Sequence, residues 1–257
     1  MEANSEAIIR LAWARQLSLA DDALEDSGHL IMVERDDVLS FIRVCGAEVL
    51  AGPAGLLQRI DDDHRPPNAF DQGHEQQGAH QLDRLTDPHL LFGLLSDEQR
   101  RTARLLGCAE LFYTDQYCDH PRLDGAAINS DPEAAAAVQR CCPPDDVTET
   151  ELDHPSQRYV LYDDSDEPVA LAMAQDWMQV IAPLSVLVGL PFRGRGWGRL
   201  VAAAAVNDLL DAGQIPGWRT RSQNRASMAV AHRLGFERKG SQTTVLLNFM
   251  NDNSTRQ

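Results

Sequence analysis

The stretch Val186-Leu187-Val188-Gly189-Leu190-Pro191-Phe192-Arg193-Gly194-Arg195-Gly196-Trp197-Gly198-Arg199-Leu200 decides the fold. It begins as a continuous apolar run bounded by Pro191, which reads as a buried strand. It turns through Gly194, Gly196 and Gly198, then enters Leu200-Val201-Ala202-Ala203-Ala204-Ala205-Val206, a helical composition. Strand, glycine turn and helix start form an anion site. The first-turn N–H groups of a helix lack intrahelical partners, and the macrodipole makes that end positive. Glycines allow positive φ and a close approach of backbone to phosphate. Arg193, Arg195 and Arg199 add positive charge there. A P-loop is excluded, because no Gly-Lys-Ser/Thr ending is present. A dinucleotide fingerprint requires glycine at position 199, where Arg199 stands.

Upstream, residues 159–162 read as a strand, 163–166 as a turn and 169–174 as the hairpin partner. Residues 178–189 supply a third strand leading into the glycine turn. Downstream, the helix from Trp197 stops at Gly213 with Pro216 beyond it, the pattern of a glycine C-cap followed by proline. Residues 217–220 make a short strand, 224–234 a helix ended by Gly235, and 242–249 a last strand.

A second signature follows: Asn224-Arg225-Ala226-Ser227-Met228-Ala229-Val230-Ala231-His232-Arg233-Leu234-Gly235-Phe236. Asn224 is a good N-cap, with a side-chain oxygen able to accept from the N–H of Ala226 or Ser227. Gly235 permits a left-handed C-cap, and Phe236 returns to the core. Arg193-x-x-Gly196-x-Gly198 and this second segment, in order and with a strand between, resemble the GNAT acetyltransferase superfamily. Its pyrophosphate loop reads Gln/Arg-x-x-Gly-x-Gly/Ala, and an Asn, a helix and Leu-Gly-Phe follow its fifth strand. The resemblance covers about 145–248. It extends to a subgroup with a Trp-Arg-x-Arg strand and a Gly-x-Gln strand, here 218–221 and 240–242.

The resemblance implies an α/β (α+β) fold, with a mixed, mostly antiparallel sheet flanked by helices. It implies acetyl-CoA as co-substrate and transfer of its acetyl group to a primary amine. Val186, Leu187 and Val188 would hydrogen-bond pantetheine through their main chain. Arg193, Gly194, Arg195, Gly196, Trp197, Gly198 and Arg199 would hold the pyrophosphate, and Asn224 would lie near the pantetheine arm. The chemical task is to deprotonate an ammonium and protonate a thiolate. Here the chain departs from the family: the frequent acid, a tyrosine seven residues after the Asn, is Ala231. Ser227, one helical turn before it, is a weak candidate donor, with small-residue packing as the simpler reading. Asp176, before the long strand, is a weak candidate base, with turn chemistry as the simpler reading. His232 points about 100° away from position 231 on a helix and reads as a surface residue. The catalytic residues therefore stay open, as does a non-catalytic acyl-CoA-binding regulatory module.

The first 125 residues match nothing recognisable. They are expected to form a smaller α+β domain, compatible with a degenerate GNAT-like half, ahead of an acetyltransferase domain at 126–257. Residues 5–20 read as an amphipathic helix and 29–33 as a strand. Residues 38–44 and 48–51 form a hairpin around Cys45-Gly46, and Leu56, Leu57 and Ile60 suggest a short helix. Residues 61–87 are rich in Asp, His, Gln, Pro and Gly and read as a flexible insertion. Asp61, Asp62, Asp63, His64, His74 and His80 lack a ligand spacing, so no metal is expected. Leu90, Leu91, Leu94 and Leu95, then Ala103, Leu105 and Leu106, suggest two short helices. Residues 109–113 read as a strand, 114–130 as a linker and 133–140 as an alanine-rich helix ended by Pro143-Pro144. A short helix with an acidic first turn begins at Asp145.

Net charge is −16 over 257 residues, and its distribution is uneven. Residues 1–125 hold 23 acidic and 11 basic residues, net −12, and 126–257 hold 16 and 12, net −4. Within 191–240, nine basic and three acidic residues give +6. A basic segment in an acidic chain fits a small polyanionic ligand and argues against nucleic-acid binding. The acidic half suits a cationic small-molecule or peptide amine, although solubility alone explains acidity equally well. Five cysteines without paired spacing suit a reduced cytoplasm. No basic leader and no run of about 20 apolar residues occurs, so a signal peptide and a membrane span are not expected. A second copy of the chain, in a homodimer, completes the expected partners.

Overall fold

The turn at 189–196 connects a strand to a helix, as its glycines require. A computed structural model describes residues 1–25, 29–64, 84–150 and 155–248. In chain order the described elements are α1 (Ala3–Gln16), β1 (Leu30–Glu34), β2 (Val38–Val44), β3 (Ala47–Gly52) and α2 (Ala54–His64). A 3₁₀ turn (Arg84–Thr86), α3 (Pro88–Gly93), α4 (Asp97–Thr102), β4 (Arg104–Tyr113), β5 (Ile128–Asn129), α5 (Pro132–Arg140) and α6 (Pro144–Glu149) follow. The rest are β6 (Gln157–Tyr162), β7 (Pro168–Ala174), β8 (Ile181–Val188), a 3₁₀ turn (Leu190–Phe192), α7 (Trp197–Asp211), β9 (Ile215–Arg221), α8 (Arg225–Arg233) and β10 (Glu237–Leu246).

These elements divide into two compact units. One comprises Met1–Ala23 and Leu111–Arg238, the other Leu24–Glu110 and Lys239–Gln257. The division differs from a cut at 125/126, for a physical reason. Helix α1 buries Ile9, Ala12, Trp13 and Ala14. The Trp13 indole donates from Nε1 to the Tyr113 hydroxyl at 2.9 Å, which ties the first residues to the segment from Leu111 onward. From Gly240, β10 pairs antiparallel with β2 instead.

In the first unit the strand order is β9-β8-β7-β6-β5. β6–β7 and β7–β8 are antiparallel, and β8–β9 is parallel. Helix α7 lies on this sheet and buries Leu200, Val201, Ala202, Ala203, Ala205, Val206 and Leu209. Its alanines let the helix approach closely, while each buried leucine or valine contributes about 1.5–3 kcal/mol. Ala134, Ala135 and Val138 of α5 pack with Leu171, Met173 and Leu187 in a separate cluster.

In the second unit β1 pairs parallel with β3, and β2 pairs antiparallel with both β3 and β10. The β2–β3 turn holds Cys45 at φ 47 and Gly46 at φ 87, the paired left-handed geometry of a tight hairpin. A capping box between Ser96 and Gln99 starts α4.

Several local expectations are corrected. Residues 61–64 of the expected insertion continue α2, and Leu85 is buried in a 3₁₀ turn. Residues 65–83, including His74 and His80, lie outside the described residues, as does Phe249. The second leucine group does not form a helix: α4 ends before Ala103, and Leu105 and Leu106 start β4. Two leucines in succession fit a strand as well as a short helix, and the pairing of the sheet decides. The segment read as a linker carries β5, which pairs with β6, and buries Cys118 and His120. Among the described residues, no helix is long and apolar enough to cross a membrane.

Candidate functional site

The site begins where two parallel strands stop pairing. β8 and β9 are in register from Ile181↔Ile215 to Leu184↔Trp218. β8 continues beyond that point, paired with β7 through Val186↔Ala172, Leu187↔Leu171 and Val188↔Ala170. On the β9 side, Val186, Leu187 and Val188 have no ladder partner among the described residues. Backbone N–H and C=O groups on such an edge require another partner. One of them has it already: the Val188 carbonyl accepts from Arg193 Nε at 3.2 Å.

The turn is held from both sides. Gly189 N–H donates to the Val169 carbonyl at 3.1 Å, and Leu190 N–H donates to the Cys141 carbonyl at 2.9 Å. Gly196 is the N-cap of α7 at φ 82, with no side chain capping the helix. The α7 first turn therefore presents its N–H groups outward. A Cβ at Gly198 would stand 3.0 Å from Val188 Cγ2 and 3.6 Å from Val186 Cγ1. Glycine there lets the helix start rest directly on β8.

The arginines differ in availability. The Arg193 guanidinium is ion-paired with Asp146 of α6 and bound to Val188, so it braces the turn. Arg195 is exposed, and Arg199 is half-buried. A fourth arginine is present that no motif signalled. Arg122 stacks its guanidinium on the Trp197 ring, 4.4 Å from the ring centroid, and donates from Nη2 to the Arg195 carbonyl at 3.4 Å. Its only sequence signal is a positive charge in a segment that looks like a linker. His120 is buried beside it, and its Nδ1 accepts from the Arg122 N–H at 3.3 Å. Burial, then the charges of Arg199 and Arg122, hold the imidazole below its ordinary pKa, against an opposing effect of Asp119.

On α8, Asn224 Oδ1 accepts from Ser227 N–H at 3.1 Å, as an N-cap should. The Ser227 hydroxyl in turn accepts from Trp218 Nε1 at 2.9 Å. Ser227 is thus engaged with β9 at the last rung before the strands part. Ala231 is fully buried in the cluster of Phe112, Trp218, Leu234 and Phe236. The His232 ring is exposed and meets Phe112 edge-on at 5.2 Å. Asp176 Oδ1 accepts from Gln179 N–H at 2.8 Å in a turn whose Met178 and Gln179 have φ 57 and 62. That bond holds the Asp176 carboxylate in local turn chemistry. Burial pushes the Cys118 thiol up to about 11, and the same cause, with Asp208, raises the Tyr159 phenol. Among the described residues, no group of three or more His, Cys, Asp or Glu could hold a metal ion.

Residues 126–236 match the acetyltransferase (GNAT) family model. Similar solved structures include a GCN5-related N-acetyltransferase from Kribbella flavida, at 16% identity and TM-score 0.42, covering 57% of this chain and 60% of that one. A GNAT-family acetyltransferase from Colwellia psychrerythraea aligns at 15% identity and TM-score 0.42, covering 60% and 59%. The ribosomal-protein-S18-alanine N-acetyltransferase of Escherichia coli aligns at 16% identity and TM-score 0.35, covering 51% of this chain and 99% of that one. No curated protein matches the chain.

Proposed function

We propose, from the match of residues 126–236 to the acetyltransferase (GNAT) family model, that the chain is an N-acetyltransferase using acetyl-CoA and a primary amine. One observation carries the reading. The β8–β9 register ends at Leu184↔Trp218, just ahead of an uncapped helix start at Gly196. An unpaired strand edge suits an extended amide-bearing arm. An uncapped helix N-terminus suits the phosphates that follow that arm.

The residues fit acetyl-CoA. Val186 and Val188 would offer their main chain to pantetheine, although the Val188 carbonyl is shared with Arg193, whereas the register turns the polar groups of Leu187 to Leu171 of β7. The N–H groups of residues 194–198 would hold the pyrophosphate. Arg195 and Arg199 would add charge, while Arg193 keeps the turn in shape. Asn224 caps α8 and so fixes the helix that borders the pantetheine arm. When bound, acetyl-CoA supplies an activated acyl thioester. In the transfer a base takes one proton from the ammonium, the freed amine nitrogen forms a bond to the carbonyl carbon, the carbon–sulfur bond breaks to release the thiolate, and the second proton leaves the nitrogen to the thiolate or to solvent. The thiolate needs no strong acid, because a thiol with a pKa of about 8.5 leaves readily near neutrality. A buried alanine at position 231 is compatible with that chemistry. The net −12 of residues 1–125 favours a cationic acceptor by long-range attraction.

A second reading, a non-catalytic acyl-CoA-binding module, is favoured by Ala231 alone, since no phenol stands there. Two measurements separate them. Thermal stabilisation by acetyl-CoA tests binding, and release of free CoA thiol with a panel of amines tests turnover. Stabilisation without turnover on any amine selects the module. No stabilisation by either acetyl-CoA or CoA removes both readings.

A further inference from the structure

The segment between β4 and β5 delivers a cation to the helix start at Gly196. Arg122 lies upstream of the family-matched residues 126–236, yet its Nη2 is 3.8 Å from where a Cβ on Gly196 would stand. Two features fix it there: the Trp197 stack and the hydrogen bond to the Arg195 carbonyl. Nearby, the Trp197 Nε1 donor is buried and has no hydrogen-bond partner among the described residues. The local chain holds the arginine in turn. Leu123 N–H donates to the His120 carbonyl at 2.9 Å, and Ala126 N–H donates to the Leu123 carbonyl at 3.1 Å. Cys118 N–H donates to Asn207 Oδ1 at 2.7 Å, which anchors the segment to α7. Arg193, the arginine of the motif itself, is neutralised by Asp146.

We propose that Arg122 binds the pyrophosphate of the acyl-CoA co-substrate, replacing the charge that Arg193 spends on Asp146. The proposal rests on the acyl-CoA reading of the site and deepens it. A guanidinium offers five N–H donors in a rigid fork suited to phosphate oxygens. One of Arg122's is spent on the Arg195 carbonyl, and stacking on the Trp197 ring consumes no N–H donor. Pyrophosphate is the specified group because the guanidinium sits at the N-cap, where the helix N–H groups converge.

The test is calorimetric affinity for CoA, dephospho-CoA and phosphopantetheine, using full-length wild type, Arg122→Gln and Arg122→Lys at two salt concentrations. Gln keeps a donor for the Arg195 carbonyl and loses the charge. Arg122→Gln is expected to lose about tenfold in affinity for CoA and equally for dephospho-CoA. Its affinity should also depend less on salt than that of the wild type. Phosphopantetheine, which lacks the pyrophosphate, should show a smaller loss, and Arg122→Lys should fall between wild type and Gln. Unchanged CoA affinity in Arg122→Gln overturns the proposal while leaving the acyl-CoA reading intact. An equal loss for all three ligands with an unchanged salt dependence also overturns it, since Arg122 then only braces the turn. A loss confined to CoA reassigns the residue to the 3′-phosphate and overturns the pyrophosphate assignment. A wild-type chain that binds none of the three overturns this proposal and the acyl-CoA reading together.

Discussion

Asp146 of α6 ion-pairs with Arg193, and Arg193 in turn donates from Nε to the Val188 carbonyl at 3.2 Å. The pair joins the end of β8 to a helix distant in sequence and puts a negative charge beside the proposed phosphate site. Both side chains are partly exposed, so the pair contributes only about 0–1 kcal/mol to stability. Its electrostatic effect on a polyanion is the larger consequence. Asp146→Asn is expected to leave the melting temperature nearly unchanged and to tighten CoA binding about threefold at low ionic strength, the gain fading with salt. Calorimetry at two salt concentrations measures this. Weaker binding at both concentrations would mean that Asp146 acts by orienting Arg193.

Gly198→Ala brings a methyl group to 3.0 Å from Val188 Cγ2. Overpacking of this kind costs about 1–3 kcal/mol and pushes the α7 start away from β8. Affinity for CoA should fall as the N–H groups lose their alignment. Val188→Ala in the same chain should restore much of both losses. A double-mutant cycle for stability and affinity reads the coupling, and additivity would show that the two residues do not meet.

The family's tyrosine cannot be restored at position 231. Ala231 is fully buried against Phe112, Leu234 and Phe236, so a phenol ring there has no space. Ala231→Tyr is expected to destabilise by about 1–3 kcal/mol or more and to give no gain in rate. Urea unfolding and thiol-release assays check both parts. A rise in rate would show that α8 can rotate to present this position to the site.

Ser227→Ala separates packing from catalysis. It leaves the buried Trp218 Nε1 without its acceptor, which costs about 1–3 kcal/mol. If the hydroxyl only holds Trp218, turnover per folded molecule stays within a few-fold of wild type. Loss of turnover at unchanged CoA affinity would instead make Ser227 a proton donor.

The glycine turn, α7, β9 and the α8 caps were legible because each is written in neighbouring residues. Gly196 and Gly235 take positive φ at the positions where the sequence pattern asks for it. Features decided by distant contacts were not legible. Leu105 and Leu106 carry no local sign that they enter a strand. Asp146 and Arg193 are 47 residues apart, and Arg122 meets the Arg195 carbonyl across 73. Nothing in the 114–130 composition announces that contact. The burial of Ala231 also depends on which face α8 turns inward, and the helix period alone left that open. The departure from the family pattern was visible in the sequence, but its cause was not.

His120 is the group through which pH should act on this site. Its folded pKa lies below the ordinary 6.5, because burial and the charges of Arg199 and Arg122 disfavour the imidazolium. As pH falls through 6.5, the unfolded chain takes up the proton first, so this residue lowers stability on acidification and contributes nothing to that loss well above pH 6.5. His120→Gln should therefore flatten part of the decline in melting temperature between about pH 7 and 5. A bound polyanion reverses the local balance. Phosphates near Arg122 and Arg199 offset their charge, so the imidazole pKa should rise and binding should take up protons as pH falls below the ordinary 6.5. Calorimetry of CoA binding in two buffers of different ionisation enthalpy measures that uptake directly. Wild type should show fractional uptake and His120→Gln should show less. Equal uptake in the two proteins would mean that the titrating group is the ligand's own phosphate, and that His120 does not sense the site.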